Sequence, residues 1–417
     1  MKLPVDVSRI YEGERIREDE AFVCLGEPGV ELLRVSESLR EGVVVSGREL
    51  EEMKQGEHLP FGLRVLVKGS LSRDAEGVLE RRLHEFINYI RGVSHEGSRD
   101  NVRMRISREA VEKGLKLEHV GMVVAELLRK EYPAISQVSV EIITDEAAVR
   151  ELEEQALEVY RQRDERAAEL RDEDVDVFYA CEICENHAPK HECIISPSRP
   201  SGCGSISWLE AKAAVEMGEQ AIKPVRKGRV IDEAKGEFEG VNEHSRAKGR
   251  ERVFLHSVFE HPHPQCSCAQ AVVFYIPEVD GFGIVESTFK GKTPFGIDFA
   301  TLIKQIGDGR QHTGFTGVSI AYLRSPSFLK GDGGWSRVVW ITSGLREMLR
   351  GTIPEEHLEG ILTEREAATV EELQRLMEGR KEEPESRHAQ MVQVPGRWRL
   401  RVNFQNTEFR VKEIVIE

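Results

Sequence analysis

At 417 residues, 40% hydrophobic and 31% charged, the chain has a soluble balance and enough length for two or three domains with cores of their own. A formal net charge of −15 argues against nucleic-acid partners, because phosphate contacts need clustered Lys and Arg. The longest apolar runs, such as "AVVFYI" (271–276), fall far short of a membrane span, and the first twenty residues carry no apolar signal stretch, so a cytoplasmic protein off the membrane is expected.

In chain order, "LRVLVKG" (63–69) reads as a strand, β-branched and bounded by turn or polar residues. "EGVLERRLHEFINYIRGV" (76–93) carries apolar residues at helical spacing. "SREAVEKG" (107–114) opens a helix with Ser107 as N-cap, and "LEHVGMVVAELLRKEYP" (117–133) is a further helix stopped by Pro133. "VSVEIIT" (138–144) is a second strand. The heavily charged run over 145–174 predicts a solvated helix with i,i+4 ion pairs. Residues 151–175 of it are expected to connect an N-terminal α+β domain (1–150) to a second domain (176–417).

The second domain is expected to hold strands "AVVFYIP" (271–277) and "RVVWIT" (337–342). Gly-rich loops stand at 307–317 and 330–335 and match no phosphate-binding loop. Helical "TVEELQRLMEGRKEEPESR" (369–387) precedes a closing hairpin with arms "WRLRVNF" and "EFRVKEIVIE". The fold class is α+β: two main domains of mixed sheet and helices, with a cysteine loop at the start of the second.

Six of the seven cysteines fall within residues 181–268, where random placement would put about 1.5. Cys181, Cys184, Cys193 and Cys203 follow C-x2-C-x8-C-x9-C, and Cys266 and Cys268 flank Ser267 in a C-x-C pair 63 residues later. Cytosolic thiols stay reduced, so this clustering points to metal or catalysis rather than disulfides. Cys24 in "AFVCLG" is expected to be a small buried apolar residue.

A structural zinc site usually pairs two short knuckles, and only one is present; His187, His191, His261 and His263 show no zinc-finger spacing to the cysteines. A 4Fe–4S cluster wants four thiolates on one irregular loop, which the first four cysteines supply. Two thiolates one residue apart, with the amides between them, suit square-planar Ni(II) or Cu(II). The "HPHP" run (261–264) reads as a turn, and Arg103 and Arg105 as a strand face that either meets phosphates or solvent.

The six cysteines at this spacing, with "SGCGSISW", "GKTPFGIDFATL", "GFTGVSIAYLRSPSFLKGDGGWSRVVW" and "RMRISREAVEKGLKLEHVG", resemble acetyl-CoA synthase, the β subunit of the carbon monoxide dehydrogenase/acetyl-CoA synthase complex, over roughly residues 100–350. The resemblance implies a 4Fe–4S cluster on Cys181, Cys184, Cys193 and Cys203. Cys184 would bridge to a proximal nickel. Cys266 and Cys268 would bridge it to a distal nickel completed by the amides of Ser267 and Cys268. It further implies an acyltransferase that joins CO, a methyl group from a corrinoid iron–sulfur protein and CoA into acetyl-CoA, reversibly, alongside a CO dehydrogenase subunit. Ser267 stands where the family's acetogenic members have Gly, and His187 where they have Phe. The family's long N-terminal domain is expected to be absent. A non-catalytic iron–sulfur or zinc protein, acting as electron carrier or scaffold, is the alternative; the C-x-C pair discriminates, because a carrier needs only the first four thiols.

Overall fold

The computed structural model describes residues 3–186, 191–264, 268–307 and 309–378, and the backbone of strands at 388–394, 397–403 and 414–416. The chain divides into two compact units, one of residues 1–170 with 205–223, the other of 171–204 with 224–417.

The first unit is built on a six-stranded mixed sheet in the order β2 (Gly42–Ser46), β6 (Ile135–Ile143), β3 (Glu57–Gly69), β1 (Ala21–Val35), β5 (Asn101–Ser107), β4 (Val93–Ser98). β1 runs parallel to β3 and antiparallel to β5. Strand alternation sorts its two faces. Leu33 and Val65 share one cluster with Leu79, Leu83 and Phe86 of α1 (Glu76–Asn88) and with residues Val120, Val124 and Leu128. Val30 and Leu32 meet a different cluster. Ser107 caps α2 (Arg108–Glu112) by accepting from the Ala110 N–H at 3.2 Å. α3 (Leu117–Glu131) stops two residues short of Pro133, the boundary a proline imposes on the residues before it.

The charged run forms α4 (Glu146–Ala168), capped by Asp145. Its exposed side carries ion pairs such as Arg150–Glu146 at 2.8 Å. Its other side is apolar: Val149, Leu152, Ala156 and Tyr160 pack on Val30, Leu32 and Ile143. The helix therefore belongs to the first unit's core as well as to its surface.

In the second unit, β7 (Val177–Cys181) pairs antiparallel with β8 (Cys193–Ile195), in a three-stranded sheet with β9 (Ile222–Arg226). Between β8 and β9 the chain forms α5 (Trp208–Glu216) of the first unit, opened by a Ser207/Glu210 capping box. A short pair, β10 (Val230–Asp232) and β11 (Glu237–Phe238), leads into α6 (Glu239–Ala247). The main sheet has β12 (Ala271–Ile276) and β13 (Gly281–Glu286) at its centre. They are flanked by β14 (Phe315–Val318) and β15 (Val338–Ile341). α7 (Phe299–Ile306) packs on the face of Val272, Phe274 and Ile276; Val273 and Tyr275 line the other face with Phe259 and Tyr322. α8 (Ile320–Leu323) follows β14 directly.

The C-terminal helix runs Val370–Met377, and the expected hairpin is the pairing of strands Arg397–Asn403 and Ile414–Ile416, joined by a third strand, His388–Val394. Among the described residues no helix is long and apolar enough to cross a membrane.

Candidate metal centre

β7 ends on Cys181, and the antiparallel register sets Cys193 of β8 directly across from it. Cys184 follows in a single 3-10 turn (Ile183–Asn186), and Cys203 sits in a tight turn closed by the Gly204 N–H donating to the Ser201 carbonyl at 2.9 Å. Gly204 has φ +73°, a left-handed conformation that glycine adopts without strain. Cys181, Cys184, Cys193 and Cys203 are all 4–5% exposed. Two adjacent strands, one helical turn and one glycine turn thus gather four thiols from 23 residues of sequence.

Cys181 and Cys193 lie close enough to the other thiols to be perturbed by them. Burial, then Cys193 and Cys184, pushes the Cys181 thiol well above its ordinary range. Burial likewise lifts Cys193 to about 12, with Cys203 and Cys184 adding to it against the Gly202 backbone hydrogen bond. Thiols so placed ionise only against a compensating positive charge, which is what a multi-iron group bound through thiolates supplies. The donor set therefore fits a thiolate-held cluster. Among the described residues no three Cys, His, Asp or Glu groups converge on one point, so the fit rests on the thiol positions and not on a preformed cage for a single ion.

Cys268, from the C-x-C pair, lies just ahead of β12, and its Sγ is 3.7 Å from Cys184 Sγ. The fold thus brings the Cys268 sulfur next to Cys184; Cys268 is disulfide-bonded here, against the expectation of reduced cysteines, and would have to be reduced before it could ligate a metal. Cys266, Ser267 and His187 lie outside the described residues. Cys24 is elsewhere, on β1 in the first unit; it is half-buried rather than buried, and burial raises its thiol against a hydrogen-bonding Arg105.

Around the thiols stands a polar frame that the motif alone does not announce. Glu192, next to Cys193 and 3% exposed on its side chain, takes His244 Nε2 at 2.8 Å, Lys248 Nζ at 2.7 Å and Arg250 Nη1 at 2.8 Å. Lys248 also pairs with Glu182, next to Cys181, so one ammonium ties both cysteine strands together. His263 Nε2 accepts from the Ile194 N–H at 2.8 Å, and His191 Nε2 lies 3.5 Å from Cys193 Sγ. The "HPHP" run is thus structural at His263, while His261 pairs with Glu251 at 2.7 Å.

Farther along the loop, Asp172 Oδ1 accepts from the Ser198 N–H at 3.0 Å, and its Oδ2 stands 3.4 Å from His256 Nε2. Burial would raise the Asp172 carboxyl, but His256 and Ser198 outweigh it and hold the group low. Arg199 donates to the Leu255 carbonyl at 2.6 Å and lies over the Tyr322 ring. Glu182 and Glu192, acids directly beside cysteines, were the available sequence signal for this frame.

Arg103 and Arg105 occupy the half-exposed face of β5, whose Val102, Met104 and Ile106 point inward. In the 330–335 loop, Asp332 is a buried acceptor for the Ser257 hydroxyl at 2.8 Å and the Val258 N–H at 2.6 Å. That loop is part of the fold's wiring.

Comparison with known proteins yields two family matches. Residues 3–149 match the family described as "CO dehydrogenase/acetyl-CoA synthase complex beta subunit", and residues 160–382 match the C-terminal family of the ACS/CODH beta subunit. An acetyl-CoA decarbonylase/synthase complex subunit beta of Methanopyrus kandleri is 47% identical over 388 residues, covering 90% of this chain and 83% of that protein. Subunit beta 1 of Methanocaldococcus jannaschii is 46% identical over 379 residues, covering 89% of this chain; the chain spans about half of that relative's length, 51%. Among solved structures, the C-terminal domain of an acetyl-coenzyme A synthase α subunit is 30% identical, with a TM-score of 0.26, over 28% of this chain and 91% of that one.

Proposed function

The chain belongs to the β-subunit family of the CO dehydrogenase/acetyl-CoA synthase complex, and from that premise we propose that it carries the acetyl-forming site of such a complex. It would be a cytoplasmic acyltransferase that joins CO, a methyl group from a corrinoid iron–sulfur protein, and CoA into acetyl-CoA, and that also runs in reverse. A CO dehydrogenase subunit would supply or accept the CO. Cys181, Cys184, Cys193 and Cys203 would hold a 4Fe–4S cluster; Cys184, Cys266 and Cys268, with the amides of Ser267 and Cys268, would hold two nickel ions. When bound, that group supplies the centre at which the two carbons join and from which the acyl carbon passes to a thiol.

The chain's own work is positional. β7 and β8 set two thiols in register, and the glycine turn sets a third. Ile183, Ile194 and Ile195, each 2% exposed or less, are buried beside the cysteines in sequence. Glu182, Glu192, Lys248 and Arg250 balance charge beside them without contributing a ligand.

The observation that carries the proposal is the 3.7 Å approach of the Cys184 and Cys268 sulfurs, because an electron carrier has no use for a fifth cysteine sulfur at its cluster. The test is exchange of labelled CO into the carbonyl of acetyl-CoA by anaerobically purified, nickel-reconstituted protein. Nickel-dependent exchange is expected. Protein with its full metal complement that catalyses none would overturn it.

A further inference from the structure

Gln270 stands two residues after Cys268, between Ala269 and Ala271, and it contacts three separate parts of the second unit. Its backbone N–H donates to the Gly202 carbonyl at 3.1 Å, and its carbonyl accepts from the Ser287 N–H, beyond the end of β13, at 2.9 Å. Its side-chain Oε1 accepts from the Ile320 N–H at 2.8 Å, at the start of α8. The amide also lies flat on Gly204: a Cβ built there would meet Oε1 at 2.2 Å and the carboxamide carbon at 2.6 Å. Cys203 is therefore enclosed between two residues, Gly202 and Gly204, that both touch Gln270.

We propose that Gln270 is a positioning residue that fixes the distance between the four-cysteine loop and Cys268, and thereby the nickel-binding half of the centre. The inference rests on the function proposed above. Without the side-chain bond to Ile320, the segment carrying Cys268 loses its side-chain anchor to α8, while Cys181, Cys184, Cys193 and Cys203 keep theirs on β7, β8 and the Ser201–Gly204 turn. Loss of Gln270 should therefore separate nickel binding from iron binding. A residue with a purely structural role would lose both metals together.

Gly204 is part of the same device. It is glycine for its left-handed φ and also because any side chain would displace the Gln270 amide from its seat.

The experiment compares iron and nickel content of the full chain and two variants after anaerobic purification and titration with nickel. Gln270→Met keeps the length and removes the acceptor; Gln270→Glu keeps an acceptor for the Ile320 N–H. Iron in Gln270→Met should stay at the wild-type level while nickel affinity falls about 10- to 100-fold, the usual cost of losing a support behind metal ligands. Gln270→Glu should recover most of it. Wild-type nickel affinity in Gln270→Met, or parallel loss of iron and nickel, would overturn the role of Gln270 and leave the proposed function standing. A wild-type protein that binds iron but no nickel would overturn both.

Discussion

Cys184 and Cys24 are thiols of one chain with opposite surroundings. Cys184 is buried in the four-cysteine loop with its Sγ 3.7 Å from Cys268 Sγ, whereas Cys24 is half-buried on a strand beside Arg105. Cys184→Ala should therefore lower both iron and nickel and abolish acetyl transfer, while Cys24→Ala should leave all three unchanged. Equal loss in both variants, measured by metal analysis and exchange rate, would break the assignment. His263 gives a pH dependence. Burial, reinforced by Arg199, Arg250 and His191, holds its imidazole well below the ordinary value of about 6.5, and its Nε2 must stay unprotonated to accept from Ile194. A depressed folded value means that the stabilisation is present above about pH 6.5 and drains away as pH falls below it, at up to about 1.4 kcal/mol per pH unit. His263→Gln keeps an acceptor and takes up no proton. Its stability should fall less steeply between about pH 6.5 and about pH 5 in denaturant titrations; slopes equal to wild type would refute this account of His263.

At the scale of elements, β3, β5, β6 and the first-unit helices were legible because their periodicity is local, whereas β1, β2 and β4 were not read from the sequence. β5 alternates Val102, Met104 and Ile106 with Arg103 and Arg105, and a proline marks the end of α3. α4 is a harder case. Its Glu and Arg content reads as a solvated face, yet Val149, Leu152, Ala156 and Tyr160 recur at helical spacing and make a stripe that packs on the sheet. The cysteine spacing named the candidate cysteines, but not what holds them. Arg250 reaches Glu192 across 58 residues and Ile320 reaches Gln270 across 50, and no local pattern encodes such a pairing. The clamp joining α6 and its following turn to β8 should matter energetically. Glu192→Gln removes the carboxylate that Arg250 shares with Lys248, leaving Lys248 its pair with Glu182, and breaking such a partly buried pair costs on the order of 3 kcal/mol. The denaturation midpoint should drop clearly and iron should be held less tightly. An unchanged midpoint would mean that solvent or Glu182 compensates.

For the whole molecule, the proposed chemistry belongs to the second unit, which holds the four-cysteine loop and Cys268; the first unit contributes a sheet with α1 and α3 on one face and α4 on the other. The chain leaves the second unit immediately after the Cys203 turn, forms α5 in the first, and returns at β9, so the two units are covalently interleaved at the cysteine loop. Composition could not reveal that excursion, because a single short helix with a capping box looks the same in either unit. The central claim is that six cysteines form one centre of two kinds of metal. It is tested most directly by metal analysis of anaerobically purified protein after nickel reconstitution. About four iron and about two nickel per chain are predicted from the ligand set. One zinc and no iron per chain would contradict it.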